Sequence, residues 1–131
     1  MTRLETPIAS VRKPTILLLC SDPVMRAVIG ETLETEGYTV LAAGSLGTAV
    51  DRLKEYRPDL LIVRPYVDNM TGHDAATYLR TKRPGMRVLM LTGFMDDERI
   101  RSRASLQAFD IFPKPFTAGE LTKEVGEILA R

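Results

Sequence analysis

Cysteine is nearly missing from this chain: Cys20 is the only one, which excludes an internal disulfide and points to a reducing compartment. Tryptophan is absent and histidine occurs once, at His73. A lone histidine makes no metal site, so His73 reads as a surface residue at a helix start. Neither sign of charge dominates, with 18 Lys and Arg against 17 Asp and Glu and a formal net charge of +1. That balance removes any overall electrostatic attraction to nucleic acid or to a membrane surface. The Arg99, Arg101, Arg103 run is offset by Asp96, Asp97 and Glu98 and reads as a solvated face. Apolar runs reach only about five residues, far from the ~20 that span a bilayer. Met1 to Pro14 has no apolar stretch of the secretory-signal kind. A cytoplasmic protein is the expectation. There is no glycine-rich nucleotide loop, no metal constellation and no nucleophile–base pair, so a conventional enzyme is not expected.

What is present is a single domain's worth of alternating elements. The chain has 131 residues, enough for one core that needs neither metal nor disulfide. Residues 1–13 are polar and aperiodic and read as a flexible arm; residues 14–131 read as the domain. Ile16 to Cys20 is apolar throughout, as a strand covered on both faces should be. Asp22-Pro23 opens a helix, with Asp22 as N-cap and Pro23 at its first position. Met25, Val28, Ile29 and Leu33 are expected to face inward, and Gly37 to end the helix. Tyr38 to Ala42 is a second strand. Ser45 caps a second helix, with Leu46, Ala49, Val50 and Leu53 inward, broken at Pro58. Leu60 to Val63 is the third strand. Thr71 caps a third helix whose inner face is Ala75, Tyr78 and Leu79. Val88 to Leu91 is the fourth strand, and Asp96 to Ala104 a short fourth helix with little apolar surface. Phe109 to Phe112 is the fifth strand, and Thr117 caps the last helix, with Leu121, Val125, Ile128 and Leu129 inward.

Five strands alternating with five helices predict an α/β fold: a doubly wound, flavodoxin-like parallel sheet of order 2-1-3-4-5, with helices on both faces. Such sheets place their sites at the carboxyl ends of the strands, at the switch point between the first and third. That rule alone selects Cys20, Ser21, Arg64, Thr92 and the residues after Phe112. Arg64 is the unusual member. It ends a buried strand with a fixed positive charge.

Four stretches at those strand ends carry a family likeness: ILLLCSDPVMR (Ile16 to Arg26), PDLLIVRPYVDNMTG (Pro58 to Gly72), VLMLTG (Val88 to Gly93) and FPKPF (Phe112 to Phe116). In this order and spacing the chain resembles a CheY-like response-regulator receiver domain of two-component phosphorelay signalling, from about Pro14 to Arg131. The resemblance implies an aspartate phosphoacceptor at the third strand's end, two acids after the first strand that hold Mg²⁺, a hydroxyl and a lysine for the phosphoryl oxygens, and a switch aromatic. Position by position, the phosphoacceptor place holds Arg64 and the acidic pair is Cys20 and Ser21. The hydroxyl and lysine are kept as Thr92 and Lys114, and Ile111 stands at the aromatic's place. The chain therefore resembles a degenerate, pseudo-receiver form of the family.

Phosphoryl transfer to a carboxylate needs a nucleophilic oxygen and a cation to offset phosphate charge. Arginine supplies no such oxygen, and a thiol with a hydroxyl is a poor ligand set for Mg²⁺. No cofactor is expected. Arg64 is expected to turn toward Asp22 or Asp68, the nearby acids. The leading expectation is a signalling module, not phosphorylated, that works by protein–protein contact. The family likeness points to the face of the fourth helix, fifth strand and fifth helix for a partner or for self-association, with no direct nucleic-acid or membrane binding. Two alternatives stay open: a receiver that accepts phosphoryl on a displaced acid, Asp68 or Asp22, and a domain that captures an anion or small ligand between Arg64, Lys114 and Thr92. A flavin protein of the same topology is disfavoured, since Cys20 to Val24 lacks a phosphate cradle. Whether the chain is a stand-alone protein or a piece of a longer regulator is open.

Overall fold

The computed structural model describes residues 14–67, 69–92, 110–113 and 117–130; for Thr92 and 110–113 it fixes the backbone only. Five parallel strands form one sheet: β1 (Thr15–Leu19), β2 (Thr39–Ala43), β3 (Leu60–Val63), β6 (Arg87–Thr92) and β7 (Asp110–Pro113). Their order is β2-β1-β3-β6-β7, which is the expected 2-1-3-4-5 arrangement. A short antiparallel pair, β4 (Tyr66–Val67) and β5 (Met70–Thr71), stands apart from it. The described helices are α1 (Pro23–Thr35), α2 (Leu46–Glu55), α3 (Gly72–Lys82) and α4 (Ala118–Leu129). The helix expected over 96–104 and the arm expected over 1–13 lie outside the described residues.

Strand alternation sorts the core into two layers. Leu17, Leu19, Leu61, Val63, Val88 and Met90 pack on one face with Ala49 of α2 and Ala75, Ala76 and Leu79 of α3. Ile16, Leu18, Cys20, Leu60, Ile62, Leu89 and Leu91 pack on the other with Ile29 and Leu33 of α1 and Leu121, Val125 and Ile128 of α4. Every residue of β3 is buried, as a strand with helices on both sides must be.

The helix starts follow the local sequence. Asp22 caps α1 by accepting from the N–H groups of Val24 and Met25, Ser45 accepts from Thr48 N, and Thr71 from Asp74 N. Thr117 and Glu120 form a reciprocal capping box on α4. After α1, Gly37 takes φ 96°, a left-handed value that glycine adopts without a Cβ penalty.

Two inward assignments are corrected. Val28 is 56% exposed and Tyr78 42% exposed. On α1 the buried positions narrow to Ile29, Gly30 and Leu33, because the helix lays a thin stripe on the sheet. On α3 the small Ala76 takes the inner place, and Tyr78 turns outward, with the Lys82 ammonium 5.3 Å from its ring centre. His73 is half-buried rather than a surface residue. Among the described residues no helix is long and apolar enough to cross a membrane.

Candidate functional site

Register aligns the carboxyl edge. Leu19 pairs with Val63, Val63 with Met90, and Met90 with Ile111. Cys20 and Arg64 each stand one residue beyond a paired position, so they lie level at the ends of neighbouring strands. Thr92 pairs with Pro113, which brings the backbone of the fourth and fifth main-sheet strands to the same edge. Lys114 and Asp68 lie outside the described residues, as do the side chains of Thr92 and Ile111.

Cys20 is fully buried; its N–H donates to Ala43 O and its thiol lies 3.5 Å from the Asp22 carbonyl. Ser21 is exposed. Asp22 does not meet Arg64. Its Oδ1 accepts from Val24 N at 2.9 Å and from Met25 N at 3.2 Å, and among the described residues no ion pair joins it to Arg64. The physical reason is local: the free N–H groups of the first helical turn lie within reach of their own cap, and they claim the carboxylate first.

Arg64 is half-buried, and its Nε is buried with no hydrogen-bond partner among the described residues. Its backbone is held from behind. Gly72 N donates to Pro65 O, and a Cβ built on Gly72 would sit 1.9 Å from Arg64 O. Only a residue without a side chain lets α3 start so close to the end of β3.

Sequence reasoning passed over Arg26 as a site residue. Its Nη1 donates to Cys20 O at 2.9 Å, and a Cβ on Gly44 would lie 2.7 Å from that same nitrogen. The guanidinium thus lies across the ends of β1 and β2. The signal was available: Arg26 stands four residues after the cap, and helical side chains lean toward the N-terminus. The β4–β5 pair was also missed, since Tyr66, Val67, Met70 and Thr71 are too few to show a period. It sets Tyr66 outward, 68% exposed, two residues beyond Arg64.

The described carboxyl edge therefore collects Arg26, Arg64 and the N-termini of α1 and α3, with Asp22 capping α1 and Asp74 in the first turn of α3. The opposite edge has a cavity of about 370 Å³ lined in part by Asp59, Arg83 and Arg87. There Arg87 Nη1 donates to Ile128 O and so serves the C-terminal end of α4.

Residues 16–126 match the response regulator receiver domain. The chain belongs to this family. Among curated relatives, this receiver domain is 27% identical over 117 residues to the probable transcriptional regulatory protein TcrX of Mycobacterium tuberculosis, covering 89% of this chain and 50% of TcrX. It is 33% identical over 104 residues to the probable C4-dicarboxylate response regulator DctR of Priestia megaterium, covering 78% of this chain and 46% of DctR. The receiver domain thus spans about half the length of these two relatives. Its fold superposes on a CheY-like receiver domain protein from Methanospirillum hungatei with a TM-score of 0.82 at 22% identity, over 90% of this chain and 94% of that one.

Proposed function

We propose that this receiver domain is not phosphorylated, because Arg64 stands at the family's phosphoacceptor position, and that it signals through protein contacts. The observation that carries the reading is Arg64 at the carboxyl end of β3, level with Cys20. A guanidinium has no nucleophilic oxygen and keeps its proton. The residues also suit Mg²⁺ poorly. Cys20 offers a buried thiol, Ser21 a neutral hydroxyl, and the Cys20 carbonyl already accepts from Arg26. Among the described residues no three His, Cys, Asp or Glu side chains cluster as a metal site would need. Asp22 is spent on the α1 cap, which argues against it as a displaced acceptor.

The test is direct. The protein is treated with acetyl phosphate and Mg²⁺ and its intact mass recorded. The mass stays unchanged; a gain of one phosphoryl group on any aspartate refutes the reading. Asp68 enters this test on equal terms with every other acid. Partner contacts through the face of the 96–104 segment, β7 and α4 follow the family likeness. Alanine substitutions along the exposed side of α4 are expected to weaken them.

A second reading, capture of a small anion, is favoured by one observation: the Nε of Arg64 is buried and has no hydrogen-bond partner among the described residues. Titration with inorganic phosphate, followed by amide shifts at 20–22, 64–67 and 92, tests it against the Arg64→Ala variant. Loss of saturable shifts in that variant supports it.

A further inference from the structure

We propose that the amino edge of the sheet holds a binding site for a small free amino acid, whose carboxylate meets Arg83 and whose ammonium meets Asp59. The site lies at the opposite end of the strands from Arg64 and does not depend on what the carboxyl edge does.

The site is the cavity of about 370 Å³ that Asp59, Arg83 and Arg87 line in part. Small-molecule sites run from about 300 to 1,000 Å³, so it suits a ligand at the small end of that range. Its charged groups stand on ordered backbone. Asp59 directly precedes β3, the middle strand of the sheet. Its N–H donates to Thr15 O at 2.8 Å, and its carbonyl accepts from Arg87 N at 3.2 Å, so it is held between β1 and β6. Arg83 is the C-cap of α3, and its carbonyl accepts from Met86 N across a turn through Gly85. Gly85 takes φ 89°, and a Cβ built there would meet nothing within 4 Å, so the space beside this turn is open. Pro14, Pro58 and Leu129 give the cavity apolar wall as well.

Charge selects the occupant. Arg83 is half-buried, and its Nε is buried with no hydrogen-bond partner among the described residues. Asp59 is half-buried too, and among the described residues only its Oδ2 is used, accepting from Thr15 N at 2.9 Å. Arg87 is already engaged, since its Nη1 donates to Ile128 O. The cavity therefore offers one guanidinium and one carboxylate oxygen, opposite in charge and not spent on each other. A guanidinium nitrogen left buried without an acceptor costs free energy that a ligand oxygen recovers. A simple anion would answer Arg83 and be repelled by Asp59. A simple cation would answer Asp59 and face two guanidinium groups. A molecule that carries both charges answers both. Carboxylate matches the guanidinium fork with parallel N–H bonds, and an ammonium brings three donors to Asp59. Pro14, Pro58 and Leu129 then shelter the short carbon skeleton between the two charges.

The experiment titrates the isotope-labelled full chain with glycine, β-alanine and γ-aminobutyrate, each to about 10 mM, and follows amide resonances. The three probes differ only in the separation of their charges. Acetate, methylammonium and inorganic phosphate are the controls. The expected result is saturable shifts of the Asp59, Gly85 and Arg87 amides with at least one amino acid, bound about tenfold or more tighter than every control. Asp59→Asn keeps an oxygen for Thr15 N and loses the charge, and Arg83→Gln removes the opposite charge. Each weakens that binding about tenfold, with thermal melting to show that the variant is folded. The comparison with the controls needs no variant, so the proposal stays exposed to failure even where one does not fold. Absence of saturation with all three amino acids overturns it. So does a control that binds as tightly as the best amino acid, a folded variant of either residue that binds unchanged, or shifts confined to 20–22 and 64–67. That last pattern belongs to anion capture at Arg64, so the two readings fail separately.

Discussion

Three helical glycines offer a graded test of how the loop behind Arg64 is held. Gly72, Gly30 and Gly47 each change to alanine. At Gly72 the added Cβ meets Arg64 O at 1.9 Å, Arg64 C at 2.9 Å and Pro65 C at 3.3 Å, all backbone atoms. Backbone between a strand end and a helix start has little room to give, so overpacking costs about 3 kcal/mol. The helix returns at most about 1 kcal/mol from alanine's better propensity. The net loss is about 2 kcal/mol or more. At about 4 °C per kcal/mol for a domain of this size, the melting temperature falls by about 8 °C or more. At Gly30, also buried, the Cβ finds Leu18 Cδ2 and Val40 Cγ1 at 3.9 Å, an ordinary contact. That variant gains about 0.5–1 kcal/mol and melts about 2–4 °C higher. Gly47 is exposed and meets only Ser45 Oγ at 4.0 Å, so its variant is neutral or slightly stabilised. Thermal melts by circular dichroism measure all three. If Gly72→Ala melts within about 2 °C of the parent, or if Gly72→Ala and Gly30→Ala shift alike, the close approach of α3 to the Arg64–Pro65 backbone is refuted.

The other expectations are smaller. Asp22→Asn keeps the cap, because asparagine accepts the same two N–H bonds, and changes stability by less than about 0.5 kcal/mol in urea melts; a loss above about 1.5 kcal/mol means the carboxylate has an ionic partner. Thr117→Ala removes one half of the capping box on α4 and costs about 1 kcal/mol by the same assay. Cys20 is fully buried, so a thiol reagent labels it only on unfolding, and rapid stoichiometric labelling of the native protein refutes its burial. Arg87→Met removes the donor to Ile128 O, costs about 1–2 kcal/mol, and raises amide exchange most in the last turn of α4.

Much of the layout was legible because its signals are local. Continuous apolar runs such as Leu60 to Val63 identify strands with two covered faces, and Asp22-Pro23, Ser45, Thr71 and Thr117 announce helices from within a few residues. Alternation of strands and helices, with right-handed crossovers, then leaves few topologies, and the observed order is the expected one. The same rules put Cys20 and Arg64 at one edge.

The sequence by itself determined the five strands of the main sheet, their order, the four described helices and the place of Arg64 at the end of β3, since each depends on residue type and near neighbours. Only the tertiary structure decided where the carboxylate and the guanidinium groups go. Asp22 turned to its own helix, Arg26 reached back to Cys20 O, and Gly72 came against the Arg64 backbone. It also decided that Val28 and Tyr78 point outward while the small Ala76 faces the core. These outcomes depend on distances of a few ångströms between segments far apart in the chain, which hydrophobic period does not encode.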